Sequence, residues 1–148
     1  MKMPVQEGLF GESEVITDKQ KKIEFSLDEV EKILEDAPRV MLDELADSLK
    51  SLRQAVHAQS GEKHELSTAK RRFWLNIEWV YELSETPAVL PFDLACGLEG
   101  VDSETLRNRI SSAFADQIRE FVSAYACAQP LDVGRVQRKL NRYINVAN

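Results

Sequence analysis

Apolar residues recur at spacings of three and four along most of the chain, and that period divides it into helices. Leu27, Val30, Ile33 and Leu34 form the first stripe. It follows Ser26-Leu27-Asp28-Glu29, a capping-box pattern in which a hydroxyl accepts from first-turn N–H groups and Glu29 reaches back. This helix is expected to break near Ala37, because Pro38 disfavours helical geometry in the preceding residue and suits the first turn of a new helix. A second helix then runs from about Pro38 to Gln59, with Leu42, Leu45, Leu49, Leu52 and Val56 as the a/d seam of two heptads. A seam this short fits the buried stripe of a bundle helix first. Second, it fits a self-association surface that would make the protein a homodimer.

From about Glu65 to Ser84, Leu66, Ala69, Phe73, Ile77, Val80 and Leu83 repeat the period, Trp74 and Tyr81 widen the apolar face, and Trp79 falls off it. Lys70-Arg71-Arg72 point in different directions around one turn and read as a solvated face ahead of a phosphate site. Pro91 is placed to start a short helix, Phe92–Glu99. After a turn at Gly100, the stripe Leu106, Ile110, Phe114, Ile118, Phe121 and Tyr125 predicts one long helix from about Ser103 to Cys127, the central strut of the fold. A last helix, about Asp132 to Ile144, turns Val133, Val136, Leu140 and Tyr143 inward. The expected fold class is all-α, a single-domain bundle of five to six helices over residues 26–148. Residues 1–25, with Pro4, Gly8 and Gly11 and no helical period, form an N-terminal arm. It is either flexible or a small hairpin pairing residues 14–17 with 22–25.

Length and composition narrow the function. At 148 residues the chain can bury a core without disulfides or metal, and its two cysteines fit neither a disulfide framework nor zinc-ligand spacing. No apolar run approaches the roughly 20 residues of a membrane span, and the N-terminus lacks a signal-peptide core, so a cytoplasmic protein is expected. The formal charge of −6 excludes a protein that coats nucleic acid without specificity. The charge is unevenly spread: Lys plus Arg against Asp plus Glu is 8 to 13 in residues 1–60, 7 to 11 in 61–127 and 4 to 1 in 128–148. The catalytic inventory is thin. His57 and His64 sit in no metal or triad motif, the carboxylates fall opposite the apolar stripes, and Cys96 and Cys127 read as packed small residues. No enzymatic activity and no cofactor are expected.

Residues 92–110 hold the most specific pattern: Cys96 small, Gly100 at the turn, Val101 apolar, Asp102 and Ser103 able to cap, and Leu106 apolar in the following helix. The segment resembles the helix-turn-helix of bacterial and phage DNA-binding proteins, departing from it at Glu99, where an apolar residue is common. Residues 96–107 are also similar to a stretch of small phage and prophage proteins. The helix-turn-helix resemblance implies a regulatory protein that places Ser103, Thr105, Arg107, Asn108 and Ser111 toward the major groove of duplex DNA. Arg107 and Asn108 would read bases, and Arg109, Arg135, Arg138, Lys139 and Arg142 would contact phosphates. Glu104 in the same turn opposes this. The competing expectation is an acidic helical module, an adaptor or phage-type inhibitor, that binds a protein partner around Trp74, Trp79 and Tyr81. Deleting residues 1–12 should leave the melting temperature nearly unchanged, since nothing there has the periodicity of a core element; a loss of several degrees in a thermal melt would show Leu9 and Phe10 to be docked.

Overall fold

The computed structural model describes residues 26–57 and 63–146. The arm expected over residues 1–25 lies outside them. Six helices are described: α1 (Leu27–His57), α2 (Lys63–Val80), α3 (Phe92–Leu98), α4 (Ser103–Ala113), α5 (Ala115–Ala128) and α6 (Val133–Leu140). The described residues form no strand, so the all-α class holds. None of these helices is long and apolar enough to cross a membrane. By its contacts the chain divides into two units, Met1–Asp36 and Ala37–Asn148, and α1 contributes to both.

The start of α1 follows the sequence: the Glu29 amide donates to Ser26 Oγ at 3.2 Å, and Ser26 Oγ donates to the Glu29 carboxylate at 3.1 Å. The expected break at Ala37 does not occur, and Pro38 lies inside one 31-residue helix. A proline there loses one helical hydrogen bond and usually kinks or ends a helix. Here Pro38 itself falls in the apolar stripe, four residues before Leu42, and is buried, so the ring contributes apolar contact where its missing N–H costs backbone bonding. In the second unit Leu45 and Leu52 are buried in the chain's own core, with Leu42 and Leu49 half-buried beside them. The leucine seam is therefore a bundle stripe.

The central element is α2, not the segment 103–127. Phe73, Ile77 and Val80 on it are fully buried, and its aromatic rings reach outward in several directions. Phe73 meets Phe114 at 5.6 Å between centroids, Trp74 meets Phe121 at 5.7 Å, Trp79 meets Phe92 edge-on at 5.1 Å, and Tyr81 meets Tyr143 at 5.1 Å. Two members of the basic triplet are also engaged. Arg72 pairs with Glu44 (2.8 Å) and Asp47 (3.0 Å) of α1, and Lys70 with Glu120 (2.7 Å) of α5, so the triplet ties helices together while Arg71 alone stays exposed.

The long helix expected over 103–127 is broken at Phe114, whose φ of −123° and ψ of 29° leave the helical region. Neither proline nor glycine is responsible. Ser111 Oγ donates back to the Arg107 carbonyl at 2.6 Å, and the Tyr81 hydroxyl donates to the same oxygen at 2.7 Å. Competition for an i−4 carbonyl by a serine bends helices, and here a second hydroxyl joins it one turn before the break. The kink seats the Phe114 ring between Phe73 and the Arg53 guanidinium, which lies 5.2 Å from the ring centroid. Beyond it, α5 packs on α6, and Val146, the last described residue, is buried. Truncating the fully buried Ile118 to alanine should cost about 2–5 kcal/mol in a denaturant titration, whereas Val56→Ala, at the exposed end of the seam, should cost well under 1 kcal/mol.

Candidate functional site

Three short elements meet at one end of the bundle: the C-terminal turn of α2, the α3–α4 turn, and α6. Both α2 and α3 close with the same hydrogen-bond pattern. After α3, the Val101 amide donates to the Cys96 carbonyl (2.8 Å) and Gly100 to Gly97 (3.3 Å), with Gly100 at φ 71°. After α2, Leu83 donates to Glu78 (2.9 Å) and Glu82 to Trp79 (3.4 Å), with Glu82 at φ 54°. This is the Schellman arrangement, which needs a left-handed residue after the helix. Glycine fills that place without strain; Glu82 fills it at a cost of about 1–2 kcal/mol. Asp102 then caps α4, accepting from the Thr105 amide at 2.9 Å.

The register of α4 differs from the expected one. Thr105, Asn108, Arg109 and Ser112 face outward around a shallow open depression, and Ser103 is half-buried. Arg107 and Ser111 point inward, with Arg107 only 7% exposed, so neither is displayed as a base reader would be. Leu106, Ile110 and Phe114 set the inward direction, and Arg107 and Ser111 share one flank of that stripe. The stripe is legible in the sequence; that the arginine beside it turns inward is set by the carbonyl and carboxylates that receive it. Val101, the apolar residue after the turn glycine, is exposed, while Cys96 is fully buried and burial pushes its thiol pKa up.

Arg107 is the centre of the cluster. Its Nε donates to the Val80 carbonyl at 2.7 Å, and Nη1 bridges Asp93 (2.9 Å) and Glu104 (3.1 Å). Glu82 lies 3.7 Å from Nη2, and the guanidinium carbon stands 4.9 Å from the centre of the Phe92 ring. Burial disfavours the charge, but the hydrogen bonds it donates to Glu104 and Asp93 outweigh this and hold the guanidinium above its ordinary value. Asp93 is held below the usual carboxylate range first by Ser103 and then by Arg107. Glu104 is held down first by the Tyr143 hydroxyl and then by Arg107. Tyr81, expected on a partner surface, is instead buried, with its hydroxyl between Ser111 Oγ and the Arg107 carbonyl; desolvation pushes its pKa up to about 12.

The basic C-terminal segment is also engaged internally. Arg135 donates to the Leu83 carbonyl at 2.6 Å and to both Asp132 oxygens at 2.8 and 3.0 Å, and Lys139 Nζ donates to the Glu82 carbonyl. Arg142 lies 3.3 Å from Glu104 and over the Tyr143 ring. Of the cations expected at phosphates, Arg109 and Arg138 alone remain exposed without an ionic partner among the described residues.

Beside this cluster opens a groove of about 630 Å³. The end of α2, the 84–91 loop and the start of α3 build it. Trp79, Phe92, Pro87 and Pro91 supply apolar lining, and Trp79 Nε1 fixes the loop by donating to the Leu90 carbonyl at 2.8 Å. Leu75 lines one wall while 62% exposed, and Val89 at the loop tip is fully exposed. Glu78, Glu82 and Glu85 stand around it against one ammonium, that of Lys139. Glu78 is half-buried, has no ionic or hydrogen-bonded side-chain partner among the described residues, and burial pushes its carboxyl up.

No family model, curated protein or solved structure matches the chain. Sequence reasoning found the α3–α4 turn but missed the groove, whose only signal was the apolar, proline-flanked link Pro87–Pro91 next to an off-stripe tryptophan.

Replacing Arg107 with methionine should destabilise the fold by about 2–4 kcal/mol. That lies between the loss of one charged hydrogen bond and the breaking of a fully buried pair, because the acids are half exposed. Lysine should not rescue it, since it cannot serve Val80 and two carboxylates at once. Acid stability follows from the same groups. Asp132 is held at about 2, first by Arg135 and then by Tyr125, against an ordinary 3.8. A lowered folded-state pKa means stability that is present above 3.8 and lost as pH falls toward 2, and Asp93 and Glu104 act in the same direction. Tyr81 has the opposite sign: its contribution is present below pH 10 and lost as pH rises through about 12. Urea titrations across pH should show both limbs, and Arg107→Met should flatten the acid one.

Proposed function

We propose that the chain is a non-enzymatic protein-interaction module that receives a segment of another protein in the groove beside Trp79. The groove carries this reading: it is of ligand-binding size, and Leu75, Trp79, Pro87, Pro91 and Phe92 line it together with the carboxylates of Glu78, Glu82 and Glu85. The exposed apolar side chains agree with it. Leu75 lines the groove, Val89 directly follows the lining residue Ala88, and Leu94 and Leu98, four residues apart on α3, are more than half exposed on a helix of seven. Single exposed leucines are ordinary, but one that lines a concavity while exposed, as Leu75 does, is what a docking surface requires. The two tryptophans offered for this role divide. Trp79 lines the groove, and Trp74 is engaged by Phe121.

Duplex binding is the second reading, favoured by the outward face Thr105, Asn108 and Arg109 following the Gly100 turn. It retains Ser103 at the helix start and Arg138 on α6. With Arg107, Arg135, Lys139 and Arg142 held by carboxylates and carbonyls, few phosphates could be neutralised, so a shallow salt dependence and weak binding are its consequence.

A photo-crosslinking side chain placed at Val89 and, separately, at Asn108 tests the two in the protein's native cells. Position 89 should give a protein adduct that disappears when Leu75 is changed to glutamate, and position 108 none. A nucleic-acid adduct at 108 with nothing at 89, joined by a gel shift of random duplex at about 50 mM salt, would reverse the order of the readings.

A further inference from the structure

The protein-interaction reading leaves open what the groove selects, and Glu78 supplies the means to say. It is a half-buried carboxylate on the wall of an apolar groove, with no cation or hydrogen-bond donor of the described chain within reach of its side chain. Elsewhere in this molecule carboxylates facing neighbouring helices are paired: Glu44 and Asp47 with Arg72, Glu120 with Lys70, Asp93 and Glu104 with Arg107, Asp132 with Arg135. Desolvating an acid without a partner is unfavourable, and its raised pKa is the expression of that. The one ammonium at the groove does not answer it, because Lys139 Nζ is bound to the Glu82 carbonyl. Glu82 in turn leans toward Arg107, 3.7 Å away, which leaves Glu78 and Glu85 as the carboxylates facing the groove.

We propose that the groove binds a peptide segment presenting an arginine or lysine next to a bulky apolar side chain, the cation meeting Glu78 and the apolar group lying against Trp79 and the flanking prolines. The inference rests on the protein-interaction reading and adds the chemistry of the partner. Charge complementarity carries it: Glu78 and Glu85, set against one ammonium that is already engaged, select a cation. The apolar lining adds a second requirement, so that neither a basic nor an apolar segment alone fills the site. Arginine suits it best, since its guanidinium stacks on an aromatic face while meeting a carboxylate, as Arg107 does on Phe92 within this same chain.

The test is fluorescence polarisation of the full chain at about physiological salt, where non-specific attraction to an acidic protein is screened. Three labelled hexapeptides serve as probes: Gly-Arg-Leu-Arg-Leu-Gly, the same peptide with citrulline for arginine, and the same peptide with glycine for leucine. The first should bind at least tenfold more tightly than either control. Glu78→Gln should weaken it by a similar factor while the melting temperature stays equal or rises, because the variant removes an unpaired, half-buried charge. Asp43→Asn, an exposed acid on α1, should change neither. Equal binding of all three peptides, or binding that Glu78→Gln leaves intact, overturns the inference. If the Leu75-dependent protein adduct at position 89 persists while no peptide binds, the groove chemistry is wrong and the interaction module stands; if that adduct is absent, the module itself fails.

Discussion

The end of α2 must have its carbonyls satisfied, and the tertiary structure around it is arranged to do so. A helix leaves its last carbonyls without intrahelical donors, and when the end is buried those oxygens need partners from elsewhere. The Schellman turn at Glu82 serves Glu78 and Trp79. Val80, Glu82 and Leu83 receive Arg107 from α4, and Lys139 and Arg135 from α6. These contacts join residues 27, 57 and 52 positions apart in sequence. Cations are also the charge that a helix C-terminus favours. Charged hydrogen bonds of this kind contribute about 1.5–3 kcal/mol when shielded from water. The buried Arg107 contact meets that condition best, and the Lys139 contact, closer to solvent, is worth less.

Meeting that requirement orders the chemistry around it. Arg107 could not be buried without acids, and Asp93 and Glu104 come from the helices on either side of the Gly100 turn. The turn thus positions two carboxylates for one guanidinium. Glu104 is shared further, accepting from the Tyr143 hydroxyl at 2.7 Å and meeting Arg142, so the last segment of the chain is held to α4 by the residue that most opposed a DNA-reading face. The Arg107 carbonyl, meanwhile, takes the hydroxyls of Tyr81 and Ser111 and loosens the helix where it then bends at Phe114. Side chain and main chain of one residue therefore fix both the end of α2 and the direction of α5.

Much of this was legible in the sequence where one signal acts alone. The stripes of α2 and α6, the Ser26 and Asp102 caps, the start at Pro91 and the stop before Pro130 all appear within a few residues of their expected places. The misreadings occur where a local signal meets a tertiary one. Pro38 carries a strong break signal, but its position in the apolar stripe keeps it inside α1. Phe114 looks like one more stripe residue, and its break depends on a tyrosine 33 positions earlier in the chain. The four-to-one basic excess of residues 128–148 suggested an outward task. Local composition cannot reveal that the receiving carbonyls lie at the end of another helix.

The same redistribution of charge decides which surface is left for a partner. The chain carries six more acids than bases, and its buried and inter-helix contacts draw on arginines and lysines that would otherwise offset them at the surface. What remains around the end of α2 is uneven: Arg109 and Arg138 as isolated exposed cations, and, at the groove, carboxylates over an apolar floor. A duplex needs several cations in register with phosphates, and two isolated ones give little purchase. An apolar floor with an unpaired acid at its wall needs a single cation and a single apolar side chain. A short peptide segment can present both from one backbone.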